Sequence, residues 1–294
     1  EFLLRNFQHD FRMAVLSRGY RRKTKGYALA NSRSTALDIG DEPMQFYRKF
    51  PEVTIAVGEE RIVAIPQLLH DKPGTQVILL DDALQHRSIR AGLNVLLTDY
   101  ARLFTRDWML PTGNLRDSRS SYKRCQLIVV TKCPVDLTEA QAAAVRKSIR
   151  LLPEQELFFA ALEYGTPYHL FTRKPASFTK DTAVLLITGI ANAAPLRDYV
   201  HAQFQEVREL EYRDHHIFTI DDWSRIKAEL SQLPGQDKIF LTTEKDAVRL
   251  IKFKSAIRQE PIYVLPVQMR FLFQTENIFL DRIRKYILEN LHQS

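Results

Sequence analysis

The stretch Gln76-Val77-Ile78-Leu79-Leu80-Asp81-Asp82-Ala83-Leu84-Gln85-His86 decides how the rest of the chain is read. Val77 to Leu80 is an unbroken apolar run, short and bounded. It predicts a strand buried on both faces of a parallel sheet. Asp81 and Asp82 follow at once. In an open α/β sheet, ligands bind just past the carboxyl ends of the strands. An acid delivered to that edge is one way to hold Mg²⁺ against nucleotide phosphates. The plain alternative is a strand-end turn that uses Asp as a turn residue. Gln85 and His86 behind the pair, and the segments below, favour the functional reading.

Working outward, strands alternate with helices. Met13 to Leu16, Val53 to Val57, Leu93 to Thr98 and Leu127 to Val130 read as strands. Glu59 to His70 and Leu137 to Leu151 read as helices, the second capped by Thr138. Such alternation predicts βαβ units in a mostly parallel sheet. Near Glu156 the pattern changes. Leu157 to Leu162 and Tyr168 to Thr172 read as strands around Gly165-Thr166-Pro167, a bent connector or hairpin. Alternation then resumes through Val184 to Thr188, Val207 to Glu211 and Ile239 to Thr242, with a helix from Asp221 to Leu230 capped by Asp221. Strands at Ile262 to Leu265 and Val267 to Phe271 flank Pro266. The closing helix, Thr275 to Leu291, carries Ile278, Ile283, Ile287 and Leu291 on its inner face. The expected fold class is α/β: two α/β/α domains with mostly parallel sheets, joined by a short β connector. The boundaries are 1–155, a connector at 156–180, a second α/β domain at 181–260, and a returning strand and helix at 261–294.

Composition agrees. At 294 residues and 45% hydrophobic content, the chain can build two cores. Two cysteines, Cys125 and Cys133, are too few for a disulfide framework and lack metal-ligand company. Their flanks predict buried thiols. A formal charge of +7 suits an anionic partner: nucleotide, nucleic acid, or an anionic membrane or lipid. No apolar run reaches the length of a membrane span, and no signal peptide is visible. The chain opens with Glu1 rather than Met, which is expected of a fragment or a processed product.

Two more segments carry chemistry. Arg18, Arg21, Arg22, Lys23 and Lys25 sit in a loop at a strand's carboxyl end. It is either a solvated loop or a cradle for phosphate or carboxylate, which arginine forks suit. Asp41, in Gly40-Asp41-Glu42-Pro43, precedes a helix with an early proline. It is either the helix N-cap or a carboxylate presented as a general base.

Six islands then fall into an order. They are Leu16-Ser17-Arg18-Gly19-Tyr20-Arg21-Arg22-Lys23-Thr24-Lys25-Gly26, Gly40-Asp41-Glu42-Pro43, Leu80-Asp81-Asp82-Ala83-Leu84-Gln85-His86, Leu110-Pro111-Thr112-Gly113-Asn114-Leu115-Arg116, Asp214-His215-His216 and Thr242-Thr243-Glu244-Lys245-Asp246. Together they resemble the tetraacyldisaccharide 4'-kinase family over nearly the whole chain. The resemblance implies a P-loop NTPase-like lipid kinase. It would use ATP and Mg²⁺ to phosphorylate the 4'-hydroxyl of a tetraacyldisaccharide 1-phosphate, giving lipid IVA in lipid A biosynthesis. It would work at the cytoplasmic face of the inner membrane of Gram-negative bacteria, as a peripheral protein, with that lipid and the membrane surface as partners. By matching position, Asp41 would be the catalytic base and His215 its orienting partner across a domain cleft. Asp81, with Asp82, would hold Mg²⁺. Arg18, Arg21, Arg22, Gln85 and His86 would meet substrate or phosphate.

One departure stands out. The family begins with a strand, a glycine-rich P-loop and a helix, yet no G-x-x-x-x-G-K-[ST] run occurs here. No cofactor-binding residue is therefore assigned. The chain is expected to start inside the helix after the P-loop, and on its own to bind ATP poorly. The first rival reading is a non-catalytic α/β nucleotide- or anionic-lipid-binding relative. Asp41 and His215 argue against it, because a binding module needs no base dyad. The second is a nucleic-acid-binding domain, for which no motif or aromatic-interleaved basic patch is found. No nucleic-acid partner is expected. Trp108 and Phe104, beside the Pro111 loop, are read either as acyl-chain contacts or as ordinary packing.

Overall fold

The structure, a computed structural model, describes residues 1–291. Helix α1 (Phe2–Phe7) leads into β1 (Met13–Ser17), every residue of which is buried. The short β2 (Ala28–Leu29) and helices α2 (Ala36–Ile39) and α3 (Asp41–Lys49) follow. Then come β3 (Thr54–Val57), α4 (Arg61–Asp71) and β4 (Val77–Leu80). These strands form one sheet in the order β2-β3-β1-β4, with β1 parallel to both β3 and β4.

A second sheet contains β5 (Val95–Asp99), β6 (Leu127–Thr131) and β7 (Glu156–Tyr164), all parallel, with α5 (Glu139–Ile149) between β6 and β7. The third sheet begins with β8 (Tyr168–His169) and β9 (Ala183–Thr188). Helix α6 (Ala194–Gln203), β10 (Val207–Glu211), α7 (Ile220–Ser231) and β11 (Lys238–Thr243) come next. Helices α8 (Glu244–Leu250) and α9 (Lys254–Ile257) precede β12 (Ile262–Leu265). The order is β10-β9-β11-β12-β8, parallel except for β8. The chain then returns: β13 (Val267–Phe271) pairs antiparallel with β7, and α10 (Glu276–Leu291) closes it. The class is α/β with mostly parallel sheets, as the sequence predicts.

The first two sheets share a core. Leu4 and Phe7 of α1, Met13 and Val15 of β1, Leu127 and Val129 of β6, and Phe158 of β7 meet Phe279, Ile283 and Ile287 of α10. Each fully buried side chain of this size contributes roughly 1.5–3 kcal/mol. The third sheet has separate cores on its two faces, one around Phe218, Trp223 and Phe240 and one around Leu186, Leu196 and Leu241.

Several local expectations change. Val77 to Leu80 is an edge strand and only half-buried, because β1 alone is hydrogen-bonded to it. The strands around Gly165 form no hairpin: β7 joins the second sheet and β8 the third. The run Leu157-Phe158-Phe159-Ala160-Ala161 buries side chains on both faces, and β6 and β13 supply the neighbours that allows. The inner face of α10 uses Phe279 rather than Ile278, which is exposed. Helix α7 is capped by Thr219, not Asp221. Thr219 Oγ1 accepts from Asp222 N at 3.1 Å, and Asp222 reaches back to Thr219 N at 2.7 Å. Thr138 does cap α5. Both cysteines are buried, and burial pushes each thiol up to about 11.

Candidate active site

Two glycines build the corner on which the site rests. Gly40, at φ +96°, is the residue that enters α3, so Asp41 is the first helical residue and not the cap. A side chain on Gly40 would come within 3.2–3.3 Å of the Gly19 backbone and the Tyr20 carbonyl. Gly19 is itself at φ +72°. The basic loop after β1 and the start of α3 thus touch backbone to backbone. This brings Tyr20 and Asp41 to one place.

Asp41 meets the third sheet there. Its Oδ2 accepts from His215 Nδ1 at 2.8 Å and from Arg249 Nε and Nη2 at 2.9 and 2.7 Å. Among the described residues no hydrogen bond reaches Oδ1. Burial works to raise the Asp41 pKa, but the hydrogen bonds and charges of Arg249 and His215 outweigh it and hold the carboxyl below its ordinary value. His215 sits at φ +62°, a left-handed conformation that a turn after β10 imposes. Donation from Nδ1 to Asp41 leaves Nε2 to accept from Lys245 Nζ, 3.3 Å away. Tyr20 packs edge-on against the imidazole at 5.4 Å.

Helix α8 explains why these groups are fixed. Thr243 caps it, and Asp246 Oδ2 receives the Thr243 hydroxyl at 2.7 Å and Gly189 N at 3.0 Å. Asp246, fully buried, holds Arg249 Nη1 at 2.8 Å, and the Gly189 carbonyl accepts from the same nitrogen at 2.8 Å. Lys245 reaches Glu42 at 3.0 Å, and Glu244 binds Lys49 at 2.6 Å. The Thr-Glu-Lys-Asp segment therefore ties α8 to α3 at several points. Sequence reading names this island but misses Arg249 and Lys245. Arg249 lies one helical turn from Asp246, but only the burial of Asp246 gives that spacing meaning.

The second half of the site lies at the ends of β1 and β4. Ser17 Oγ donates to Asp81 Oδ2 at 3.0 Å. Burial and the charges of Asp82 and Glu42 push Asp81 above the usual carboxylate range, against the Ser17 hydrogen bond. Asp82 faces elsewhere. It takes a two-pronged ion pair from Arg116 at 2.6 and 3.0 Å on the surface. Arg61 is almost fully buried, donating to the Gly58 carbonyl and, at 3.1 Å, to the Asp81 carbonyl, with Nε unpartnered. Burial and the Arg61 and Arg18 charges lower the His86 pKa. Arg18 and Arg61 thus make a cationic focus at the strand ends, with His86 biased toward its neutral form beside them. Gln85 is exposed beside it. Arg21 contacts the Asp214 carbonyl at 3.4 Å, bridging toward His215. Arg22 is committed to protein partners: its buried guanidinium binds Glu59, just after β3, at 2.7 Å and the Gly26 carbonyl of its own loop.

Chemically, the arrangement offers one ionised carboxylate with a free oxygen, a cationic patch, and a hydroxyl–carboxylate oxygen pair at Ser17 and Asp81. Among the described residues no cluster of three or more His, Cys, Asp or Glu is placed to hold a metal. The Ser17–Asp81 pair nonetheless fits Mg²⁺. Its donors are hard oxygens, the carboxylate is desolvated without a cation of its own, and Mg²⁺ is usually held by one or two carboxylates plus phosphates and water. Among the described residues no helix is long and apolar enough to cross a membrane.

The family described as tetraacyldisaccharide-1-P 4'-kinase matches residues 1–287. The chain is 40% identical to the tetraacyldisaccharide 4'-kinase of Phocaeicola vulgatus over 302 residues, covering 100% of this chain and 82% of that protein. It is 41% identical to that of Flavobacterium johnsoniae over 292 residues, covering 99% and 83%. A crystal structure of LpxK from Aquifex aeolicus in complex with ATP superposes with a TM-score of 0.71 at 23% identity, covering 99% of this chain and 82% of that one.

Proposed function

Because the chain belongs to the tetraacyldisaccharide-1-P 4'-kinase family, we propose that Asp41 receives the sugar hydroxyl during phosphoryl transfer from ATP to the 4'-hydroxyl of a tetraacyldisaccharide 1-phosphate. The protein is a lipid kinase of lipid A biosynthesis, and it uses ATP. The non-catalytic alternative is not favoured.

The observation that carries the role of Asp41 is its asymmetry. Oδ2 is held by His215 and Arg249, while Oδ1 is open. The 4'-hydroxyl donates to Oδ1 as its oxygen approaches the γ-phosphorus in line with the departing ADP oxygen. The new P–O bond forms as the old one breaks, and the hydroxyl proton passes to Asp41. A carboxylate with a lowered pKa is a weak base, and the loose transition state of phosphoryl transfer asks for little more. Positioning matters more, and His215 and Arg249 supply it.

Arg18, Arg21 and His86 bind the phosphate oxygens of the substrate and the transferring group, with Gln85 at their margin and the buried Arg61 adding positive charge behind them. Arg22 braces the loop that carries Arg18 and Arg21. Asp81 and Ser17 hold Mg²⁺, which when bound neutralises charge on the nucleotide phosphates. Asp82 orders the Arg116 loop beside them. The protein acts as a peripheral enzyme at the cytoplasmic face of the inner membrane. The 1–155 and 181–260 segments close on each other through the Asp41–His215 contact, which excludes water from the reacting atoms.

The test is Mg²⁺-dependent transfer of label from ATP to tetraacyldisaccharide 1-phosphate by the full-length gene product. Asp41→Ala is expected to lower kcat by about 10²–10⁴-fold, the usual contribution of general acid–base catalysis. Wild-type kcat in Asp41→Ala would remove Asp41 from the mechanism.

A further inference from the structure

We propose that the 107–115 loop is the element that seats this protein on an anionic lipid bilayer, with Trp108, Met109 and Leu110 entering the headgroup region. The proposal rests on the kinase reading only for its setting, since an enzyme acting on an acylated disaccharide meets that substrate in a membrane.

The loop is built, not slack. Asp107 Oδ1 accepts from the amides of Trp108 and Asn114 at 2.8 and 3.3 Å. Leu115 N donates to the Trp108 carbonyl at 3.0 Å, Leu110 N to the Leu115 carbonyl at 3.1 Å, and Gly113 N to the Met109 carbonyl at 3.0 Å. Arg119 clamps the Asp107 carbonyl from Nε and Nη2 at 3.0 and 2.6 Å. At its base Leu103, Phe104 and Leu115 pack into the core around β6. Yet the three consecutive apolar side chains at the tip are 67%, 47% and 58% exposed. A frame this firmly hydrogen-bonded holds them in water rather than letting them fold back.

Position and charge identify the partner. The loop leaves the carboxyl end of β5. The loop after β6, the parallel neighbour of β5, carries Val135, also well exposed. Exposed apolar side chains thus lie past the carboxyl ends of both β5 and β6. From 101 to 124 the chain has six cationic residues against Asp107 and Asp117. Asp107 is taken up by backbone amides, and Asp117 by Arg87 and Arg124. Arg119 lies over the Trp108 ring at 5.3 Å. An indole with apolar neighbours and a cationic collar is the composition that sits at a bilayer's headgroup level and is drawn to anionic lipid. A tip of three side chains is too small for a stable protein interface, which needs on the order of 800 Å² per partner. The loop ends at Arg116, which holds Asp82. Seating the tip would therefore turn the site toward the membrane, so that acyl chains stay in lipid while the sugar enters.

Tryptophan emission tests this directly, because the chain has two tryptophans and Trp223 is buried in the core of the third sheet. The 294-residue chain is titrated with phosphatidylglycerol–phosphatidylethanolamine vesicles and with phosphatidylcholine vesicles, without ATP or substrate. The expected result is a blue shift with the anionic vesicles and quenching by lipids brominated in the bilayer. Combined Trp108→Ser, Met109→Ser and Leu110→Ser should weaken vesicle co-sedimentation about tenfold or more, with an unchanged melting curve. Leu110→Ser alone serves as a milder variant should the triple one fold poorly, and Arg106→Glu should weaken binding to anionic vesicles. Emission that ignores vesicles, or a serine variant that sediments like wild type, would each overturn the proposal. Because no phosphoryl transfer is read, a protein that docks but does not catalyse, or the reverse, separates this proposal from the kinase reading.

Discussion

Asp41 shows how one side chain is tuned by residues far away in sequence. Its partners His215 and Arg249 lie 174 and 208 positions away. Its pKa lies below the ordinary value, so the fold favours the ionised form. The corresponding stability is complete above the ordinary carboxylate range and is lost as pH falls through the depressed value. Arg249→Met removes the strongest counterweight to burial. The Asp41 pKa should then rise, and the acid limb of the kcat/KM profile should move to higher pH. Arg249→Lys should move it less, since a lysine cannot reproduce the fork. Arg249→Met should also cost about 3–5 kcal/mol of stability, because Asp246 is left buried without its cation. An acid limb that stays in place while kcat falls would mean that Arg249 positions Asp41 without tuning it. Asp41 and His215 are legible in Gly-Asp-Glu-Pro and Asp-His-His. Arg249 was not, because nothing local distinguishes it from any other helical arginine. Only its partner, buried within the same turn, gives it meaning.

Elements are held in place by caps and close approaches. The Thr219–Asp222 box starts α7, and Thr219→Ala should lower stability by about 1 kcal/mol in denaturant titration, with little effect on kcat. Gly40→Ala tests the corner beneath Asp41. Its φ of +96° and the 3.2 Å approach to Gly19 leave no easy place for a methyl group. Both melting temperature and kcat should fall, since relief would shift the start of α3. A Gly40→Ala protein with wild-type kcat would show that Asp41 tolerates that shift. Apolar runs located most strands and helices correctly. The misses came where a run fits two partners. The β7 run fits a hairpin as well as a sheet centre, and the face of α10 could have used Ile278 as readily as Phe279. Neighbours in space settled both.

On the scale of the whole molecule, α10 binds the end of the chain to its beginning. Phe279 packs against Phe2, Phe158 and Phe271, with centroids 4.6–6.1 Å apart. Phe279→Ala should cost about 3–5 kcal/mol and unfold the first two sheets before the third, which hydrogen exchange can read. Uniform loss of protection across all three sheets would instead show one cooperative unit. The sequence by itself determined the α/β class, the alternation of elements, the six islands that identify the family, and the presence of Asp41 and His215. Those follow from local patterns: apolar runs of strand or helix length, turn residues, and short motifs whose order is conspicuous in a single chain. Tertiary structure alone decided that β4 lies at an edge and that Asp82 pairs with Arg116. It also decided that Arg22 is taken up by Glu59 after β3 and that Arg249 completes the Asp41 cluster. Those depend on which surfaces meet after folding. An arginine's sequence neighbours do not reveal which carboxylate, some two hundred residues away, will sit 2.7 Å from it.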